Sequence, residues 1–331
     1  MPEPTEALRR MGLAEAEERP KWTRLGGGVS SDIWRVDLRS GLVCVKRALA
    51  KLRVEQDWFA PVERGRYEVA WFRAAAAIAP HAVPKLLGVD QATGSFAMEF
   101  LDPLLYRNWK EELRDGRVDM ASAAAIGSVL ARIHAATAGR PEIAAEFPSD
   151  AIFHAIRLAP YLEATALRHP DLAPRLKALV ETTASTKLAL VHGDVSPKNI
   201  LLGAQGPLFL DAECAWYGDP AFDIAFCLNH LLLKCLWRPA AAPDFLAAFD
   251  VLSDSYLAGV QWEQRAAIAA RIAALLPGLF LARIDGKSPV EYVTEEADKN
   301  RVRYVARHLL EKPPERLATV RAAWAQELGL A

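Results

Sequence analysis

Residues 192–213 run His192-Gly193-Asp194-Val195-Ser196-Pro197-Lys198-Asn199-Ile200-Leu201-Leu202-Gly203-Ala204-Gln205-Gly206-Pro207-Leu208-Phe209-Leu210-Asp211-Ala212-Glu213. Asp194 stands five residues before Asn199, and Asn199 twelve before Asp211. Short apolar runs at 188–191, 200–202 and 208–210 are separated by turns, and 203–206 has the composition of a hairpin connection. A carboxylate, an amide and a second acidic pair in this order suit phosphoryl transfer from a Mg-nucleotide. The first carboxylate orients or deprotonates an acceptor hydroxyl, and the amide and the later acids hold the metal. Asp194 is therefore the candidate catalytic residue. Asn199, Asp211 and Glu213 are the candidate Mg²⁺ ligands, with hard oxygens of the kind that ion prefers.

Outward from this stretch the chain changes character twice. Before residue 100 it is strand-like around one helix. Strands are expected at 21–25, 33–38, 42–46, 86–89 and 95–101, and a helix over 62–79 with Pro61 at its first turn. Residues 48–60 form a connecting insert. From about 119 the pattern is alanine- and leucine-rich with helical spacing, and a helix is expected over 222–237. The expected fold class is α+β: a small antiparallel β lobe (1–100), a hinge near 100–105, and a larger mostly helical lobe (101–331) with a β-hairpin inset.

Bulk composition narrows the function classes. The chain has 331 residues, 52% hydrophobic and 24% charged, with net charge −1. That balance supplies no field for nucleic acid or an anionic membrane. The apolar stretch 266–282 carries Arg271 and Pro277 and is shorter than the roughly 20 residues a span needs, so it is expected to be a buried helix. The N-terminus has no basic and apolar pattern of a signal peptide. Cys44, Cys214, Cys227 and Cys235 match no zinc spacing and are expected to be buried free thiols in a reducing cytoplasm.

The motif His192-Gly193-Asp194 through Asn199, then Asp211-x-Glu213, then Gly218-Asp219-Pro220-Ala221-Phe222-Asp223-Ile224 resembles the aminoglycoside phosphotransferase-like (choline kinase) superfamily of small-molecule kinases. Within it, Asp-x-Glu followed by Ala215-Trp216-Tyr217-Gly218 looks most like the methylthioribose kinases. The resemblance covers residues 20–310 and implies a bilobal protein-kinase-like fold, ATP and Mg²⁺ as cofactors, and a small-molecule hydroxyl as acceptor. It places Gly26–Ser31 as the nucleotide-covering loop, with backbone N–H groups of Gly27 and Gly28 and the hydroxyls of Ser30 and Ser31 toward phosphate. The loop is neither a Walker A sequence nor the full glycine pattern of protein kinases.

The same resemblance puts Lys46 on the nucleotide phosphates, paired with a helix carboxylate. Glu68 is the partner favoured by Arg66-x-Glu68, and Glu63, nearer the helix start, is the rival. Glu99 and Leu101 would offer backbone hydrogen bonds to adenine, and Asp223 would brace the 192–194 loop. His134 and His192 are expected to be hydrogen-bonded braces rather than proton carriers. Trp216 either walls a substrate pocket or packs the lobe. Arg283 is the nearest candidate for the acceptor, against an ion pair with Asp285 or a nearby Glu. The paired arginines of methylthioribose kinases are not reproduced, so the acceptor does not follow from the resemblance. An aminoglycoside-type kinase would need acids around the acceptor, and those at 291–298 leave it open. A nucleotide-binding pseudokinase scaffold would lack one of Lys46, Asp194, Asn199 or Asp211; all are present.

Overall fold

The computed structural model describes residues 4–26, 30–51, 53 and 59–330. Gly27 and Gly28 of the expected phosphate loop lie outside the described residues. The first part is a five-stranded antiparallel sheet, β1 (Lys21–Arg24), β2 (Ser31–Leu38), β3 (Gly41–Ala48), β4 (Leu86–Asp90) and β5 (Ser95–Glu99), in the order β1-β2-β3-β5-β4. Alternation along β3 divides its side chains between two faces. Val43 and Val45 join Leu8, Val36, Leu38 and Ala97 in a small apolar cluster capped by α1 (Pro4–Arg10). Cys44 and Lys46 take the opposite face, toward α2 (Arg64–Ile78) and a cleft.

α2 starts at Arg64, later than the expected 62. Pro61 is outside it, and the Pro61 carbonyl accepts from Arg64 Nη1 at 2.9 Å. The start is set by this buried arginine, which gathers carbonyls, rather than by the proline. The described part of the 48–60 insert contains a single bridge, Lys51 to Phe59.

The remainder is helical. In order come the short β6 (Arg107–Asn108), α3 (Trp109–Arg114), α4 (Met120–Thr137), α5 (Pro141–Glu146), α6 (Asp150–Phe153), a π-helical stretch His154–Glu163, α7 (Ala164–Arg168) and α8 (Ala173–Ser185). Then follow α9 (Ala221–Trp237), α10 (Ala242–Ala258), α11 (Arg265–Asp285), α12 (Glu296–Glu311) and α13 (Leu317–Glu327). Every residue of α9 from Ala221 to Cys235 is buried, as expected of a helix apolar on all sides at a domain centre. α11 is long and apolar enough to cross a membrane by length and composition, and 67% of its most apolar window is buried inside the protein. All four cysteines are buried and unpaired.

The inset that carries the opening stretch lies between α8 and α9. β7 (Ala189–Val191) pairs with β10 (Trp216–Gly218), and β8 (Ile200–Gly203) with β9 (Gly206–Phe209) through the two-residue connection Ala204-Gln205. Its loops meet the inner face of the sheet, so Asp194, Asn199 and Asp211 arrive opposite Lys46.

Candidate active site

The loop after β7 is held by backbone contacts that allow few alternatives. Gly193 has φ +79°, and a Cβ there would lie 2.5 Å from the Cys214 carbonyl oxygen. The Asp223 carboxylate, near the start of α9, accepts from the backbone N–H of His192 and of Gly193, both at 2.8 Å. Its Oδ2 also meets His134 Nε2 at 3.2 Å, and His134 Nδ1 lies 2.9 Å from the Tyr256 hydroxyl. The His192 Nδ1 accepts from the Asp194 N–H at 3.1 Å, which leaves Nε2 to donate to the Leu210 carbonyl at 3.1 Å. Burial pushes the His192 pKa down and keeps that ring neutral. A protonated ring would lose its acceptor, so His192 ties the 194 loop to the 211 loop and carries no proton for catalysis.

The Asp194 carboxylate is buried between cations. Arg157 Nη2 lies 2.8 Å from Asp194 Oδ2, and its Nε donates to the Gly193 carbonyl at 2.5 Å. Lys198 Nζ stands 3.5 Å from the same oxygen, and Asp194 raises the Lys198 pKa. Asn199 Nδ2 donates to the Asp194 carbonyl at 3.1 Å. The amide oxygen of Asn199 is thus its remaining polar end. Arg157 belongs to the π-helical stretch and to no motif, so the sequence offered no sign of it.

Across from Asp194, Lys46 Nζ bridges Glu68 Oε1 at 2.8 Å and Asp211 Oδ1 in a closer contact. Glu68 is thereby the helix carboxylate that Lys46 meets; Glu63 is exposed. Burial raises the Glu68 carboxyl to about 7, against the pull of Lys46. Burial opposes the Lys46 charge, but Asp211, Glu68 and Glu213 outweigh it and raise its pKa. Burial would likewise raise Asp211, but Lys46, Lys198 and Arg157 hold it well below the usual carboxylate range. Asp211 has φ 64°, the positive φ of a non-glycine among the described residues. That left-handed backbone is uncommon outside glycine and clusters at functional sites.

Glu213 was expected beside the metal. Its Oε2 is held by Arg64 Nε at 2.9 Å, and the pair is buried. Arg64 also donates to the carbonyls of Ser30 at 2.5 Å and Leu49 at 2.7 Å. One arginine therefore joins the loop before β2, the end of β3 and the 211–213 segment. Arg64 leaves no signal in the sequence, because a guanidinium that serves backbone carbonyls has no motif.

Lys46, Glu68, Lys198, Asn199 and Asp211 open on a cleft of about 720 Å³ lined by both parts of the molecule. Leu25, Ile33, Met98, Leu201 and Leu210 supply apolar wall, and Ser30, Ser31, Lys46, Asn199 and Asp211 the polar one. The buried Ser31 hydroxyl has no hydrogen-bond partner. An apolar slot ending in an ammonium, serine hydroxyls and hard oxygens fits a nucleotide with Mg²⁺, which takes few protein ligands. Asp211 and Asn199 would hold the metal. Glu99 and Leu101 line the cleft as well. The Glu99 N–H donates to the Lys85 carbonyl at 2.9 Å and its carboxylate accepts from the Lys85 N–H at 2.8 Å, so neither faces a ligand.

The sequence matches the Phosphotransferase enzyme family (APH) over residues 21–262. The chain belongs to that family. It is 26% identical over 251 residues to a methylthioribose kinase of Yersinia pseudotuberculosis, covering 66% of this chain and 60% of the relative. The chain thus spans less than two thirds of the length of the curated relatives it matches. By fold it is similar to a choline/ethanolamine kinase family protein of Mesorhizobium loti, with TM-score 0.54, 17% identity, and 97% and 99% of the two chains covered. A choline kinase of Cryptosporidium parvum follows with TM-score 0.52 and 11% identity, over 98% of this chain and 94% of that one. The small antiparallel sheet and larger helical part are thus those of a protein-kinase-like fold.

In this phosphotransferase family member two expected substrate contacts do not reach the cleft wall. Trp216 is 1% exposed, stacked on Phe153 at 4.1 Å, and donates Nε1–H to Asp150 at 2.9 Å. It packs the core because β10 turns its ring toward α6. Arg283 does not pair with Asp285, whose carboxylate takes Arg303 at 2.8 Å and His169 at 2.9 Å. Arg283 instead donates Nη1–H to the Ser288 carbonyl and to the Tyr161 hydroxyl at 3.3 Å.

A buried lysine lies nearby. Lys234 of α9 is 1% exposed, and its Nζ sits 4.4 Å from the Trp237 ring centre and 4.6 Å from that of Tyr292. Burial, with Lys110 and Arg283 adding to it against Glu291, lowers its pKa to about 7. A cationic group whose folded pKa is depressed costs stability where it is charged in both states. That cost is complete below pH 7 and fades as pH rises toward 10.5, where the unfolded lysine also loses its proton. Lys234→Met is therefore expected to stabilise the protein by a few kcal/mol at pH 6, at about 1.4 kcal/mol per pKa unit, with a gain that shrinks by pH 9. Denaturant unfolding at the two pH values measures it; an equal effect at both would contradict the assignment.

Proposed function

We propose that this chain is an ATP- and Mg²⁺-dependent kinase that transfers the γ-phosphoryl group to a hydroxyl of a small molecule, a sugar-like or amino-alcohol metabolite. The observation that carries the reading is Lys46 held between Glu68 and Asp211 in a nucleotide-sized cleft, whose wall residue Lys198 reaches the Asp194 carboxylate at 3.5 Å. Bound Mg-ATP supplies the phosphoryl donor and neutralises its charge. Lys46, Ser30 and Ser31 bind phosphate oxygens, and Gly27 and Gly28 would add backbone N–H groups. Glu68 keeps Lys46 charged and aimed. Asn199 and Asp211 hold the metal, with Glu213 able to add its other oxygen. The Glu99 carbonyl and the Leu101 N–H would contact adenine. Asp194 orients the acceptor O–H and takes its proton on a carboxylate oxygen. The work divides near residue 100, nucleotide before it and acceptor after it. The four buried free thiols support a reducing, cytoplasmic setting.

Purified protein should be stabilised by Mg-ATP, by about 2.7 kcal/mol at one hundred times the dissociation constant. It should also release ADP in the presence of a hydroxyl library. No stabilisation by Mg-ATP and no turnover would dismiss the proposal. Lys46→Met is expected to weaken nucleotide binding roughly tenfold to a hundredfold, the range for a charge-assisted hydrogen bond lost. Calorimetric titration with Mg-AMP-PNP reads it, and an unchanged affinity would remove Lys46 from the site.

A further inference from the structure

Behind the helical wall of the cleft lies a layer of cations and unpartnered polar groups. Phe226, His230 and Lys234 follow one another at one-turn spacing on α9, and their rings and charges line up away from Asp194. Arg157, which holds Asp194, lies 5.8 Å from the Tyr161 ring centre and 5.7 Å from that of Phe226. Arg283 covers Tyr161 at 5.6 Å, and His230 lies 5.4 Å from Phe226. Trp237 stacks on Tyr292 at 4.4 Å, beside Lys234. Trp237, Lys110, Lys198 and Glu291 reach the cleft wall.

Charges in this region are unbalanced. Lys110 is matched by Glu291, and Arg157 and Lys198 share Asp194. No ion pair reaches Lys234 or Arg283 among the described residues; Arg283 meets only neutral oxygens. Arg283 Nε, the Tyr292 hydroxyl and His230 Nε2 are buried with no hydrogen-bond partner. Leaving one buried polar group unsatisfied costs about 1–3 kcal/mol, so three in one region beside two unmatched cations describe a site built for a ligand rich in acceptors. An ammonium-bearing ligand would find the Trp237–Tyr292 pair already taken by Lys234.

We propose that the acceptor carries an anionic group, a carboxylate or a phosphate, received between Lys234 and Arg283 with His230 and Tyr292 beside it. The proposal rests on the kinase reading only for calling the ligand an acceptor. The anion site itself stands on the cations and orphaned donors. An anion there would match both charges and satisfy donors that have no protein partner. It also explains why a buried lysine is kept where a neutral residue would be more stable.

The test uses the full chain with Mg-AMP-PNP present, so that the nucleotide side is filled. Malonate and inorganic phosphate are titrated against chloride at constant ionic strength, with glycerol as the neutral control. Wild type should bind at least one of the two anions, and the tighter one tells carboxylate from phosphate. Lys234→Met and Arg283→Gln should each weaken that binding about tenfold or more. Circular dichroism and melting in chloride check the fold, and Lys234→Met reads the site even if Arg283→Gln unfolds. No anion binding, or equal binding in a folded Lys234→Met, overturns the proposal. Absence of any Mg-AMP-PNP stabilisation instead fails the kinase reading, and anion binding would then stand without it.

Discussion

Asp194→Asn is expected to lower the rate of phosphoryl transfer by roughly a thousandfold, within the 10²–10⁴ range of a positioned proton acceptor. Asparagine keeps the shape and one oxygen but cannot take a proton. Mg-nucleotide affinity should hold, because Asp194 is not among the residues that wall the cleft with Lys46 and Asp211. Single-turnover kinetics and calorimetric titration separate the two effects. A variant that binds nucleotide and transfers at the wild-type rate would remove Asp194 from the chemistry. The substitution also leaves Arg157, 2.8 Å from the carboxylate in wild type, without its counter-charge. Breaking a buried pair on one side costs several kcal/mol, so some loss of stability is expected beside the loss of rate.

Gly193→Ala should be among the most destabilising single changes. Its φ of +79° costs an L-residue about 1–2 kcal/mol, and the added Cβ would sit 2.5 Å from a backbone oxygen and 2.8 Å from Cys214 Cβ. Backbone cannot yield as a side-chain tip can, so a further 1–3 kcal/mol of overpacking is expected. The sum, about 2–5 kcal/mol, would appear in denaturant unfolding. Gly139→Ala is the control: φ is +65° and nothing lies within 4 Å, so only the backbone cost of about 1–2 kcal/mol remains. Equal losses in the two variants would show that crowding against Cys214 does not matter. Transfer activity should fall in Gly193→Ala because Asp194 is the next residue on a loop whose His192 and Gly193 N–H groups donate to Asp223 and whose Asp194 N–H donates to His192 Nδ1.

Much of this site was legible because its residues are close in sequence and of types with few other uses in that order. Asp194, Asn199 and Asp211 sit on one inset, so their spacing survives folding as geometry. Lys46 and Glu68 are 22 positions apart, and strand and helix periodicities carried each to the inner face. Glu213 was legible as an acid but not as the partner of Arg64, since nothing local records a contact 149 positions away. Trp216 is ambiguous in the sequence because an aromatic on a short strand fits a core and a pocket equally well. Arg283 has an acid two residues on, and helix geometry turns i and i+2 away from each other.

The sequence by itself determined the kind of site: an ordered carboxylate, amide and carboxylate on a β inset, a lysine on a strand, an acid on a helix, and the change from strand to helix near residue 100. Such information is local, because period and short spacing are properties of neighbouring residues. The tertiary structure decided what surrounds it. Arg157 on Asp194, Arg64 on Glu213, and Lys234 with Arg283 beyond them each depend on charges brought together from distant segments. The energy of a buried charge depends on what lies within a few ångströms of it, whatever the distance along the chain.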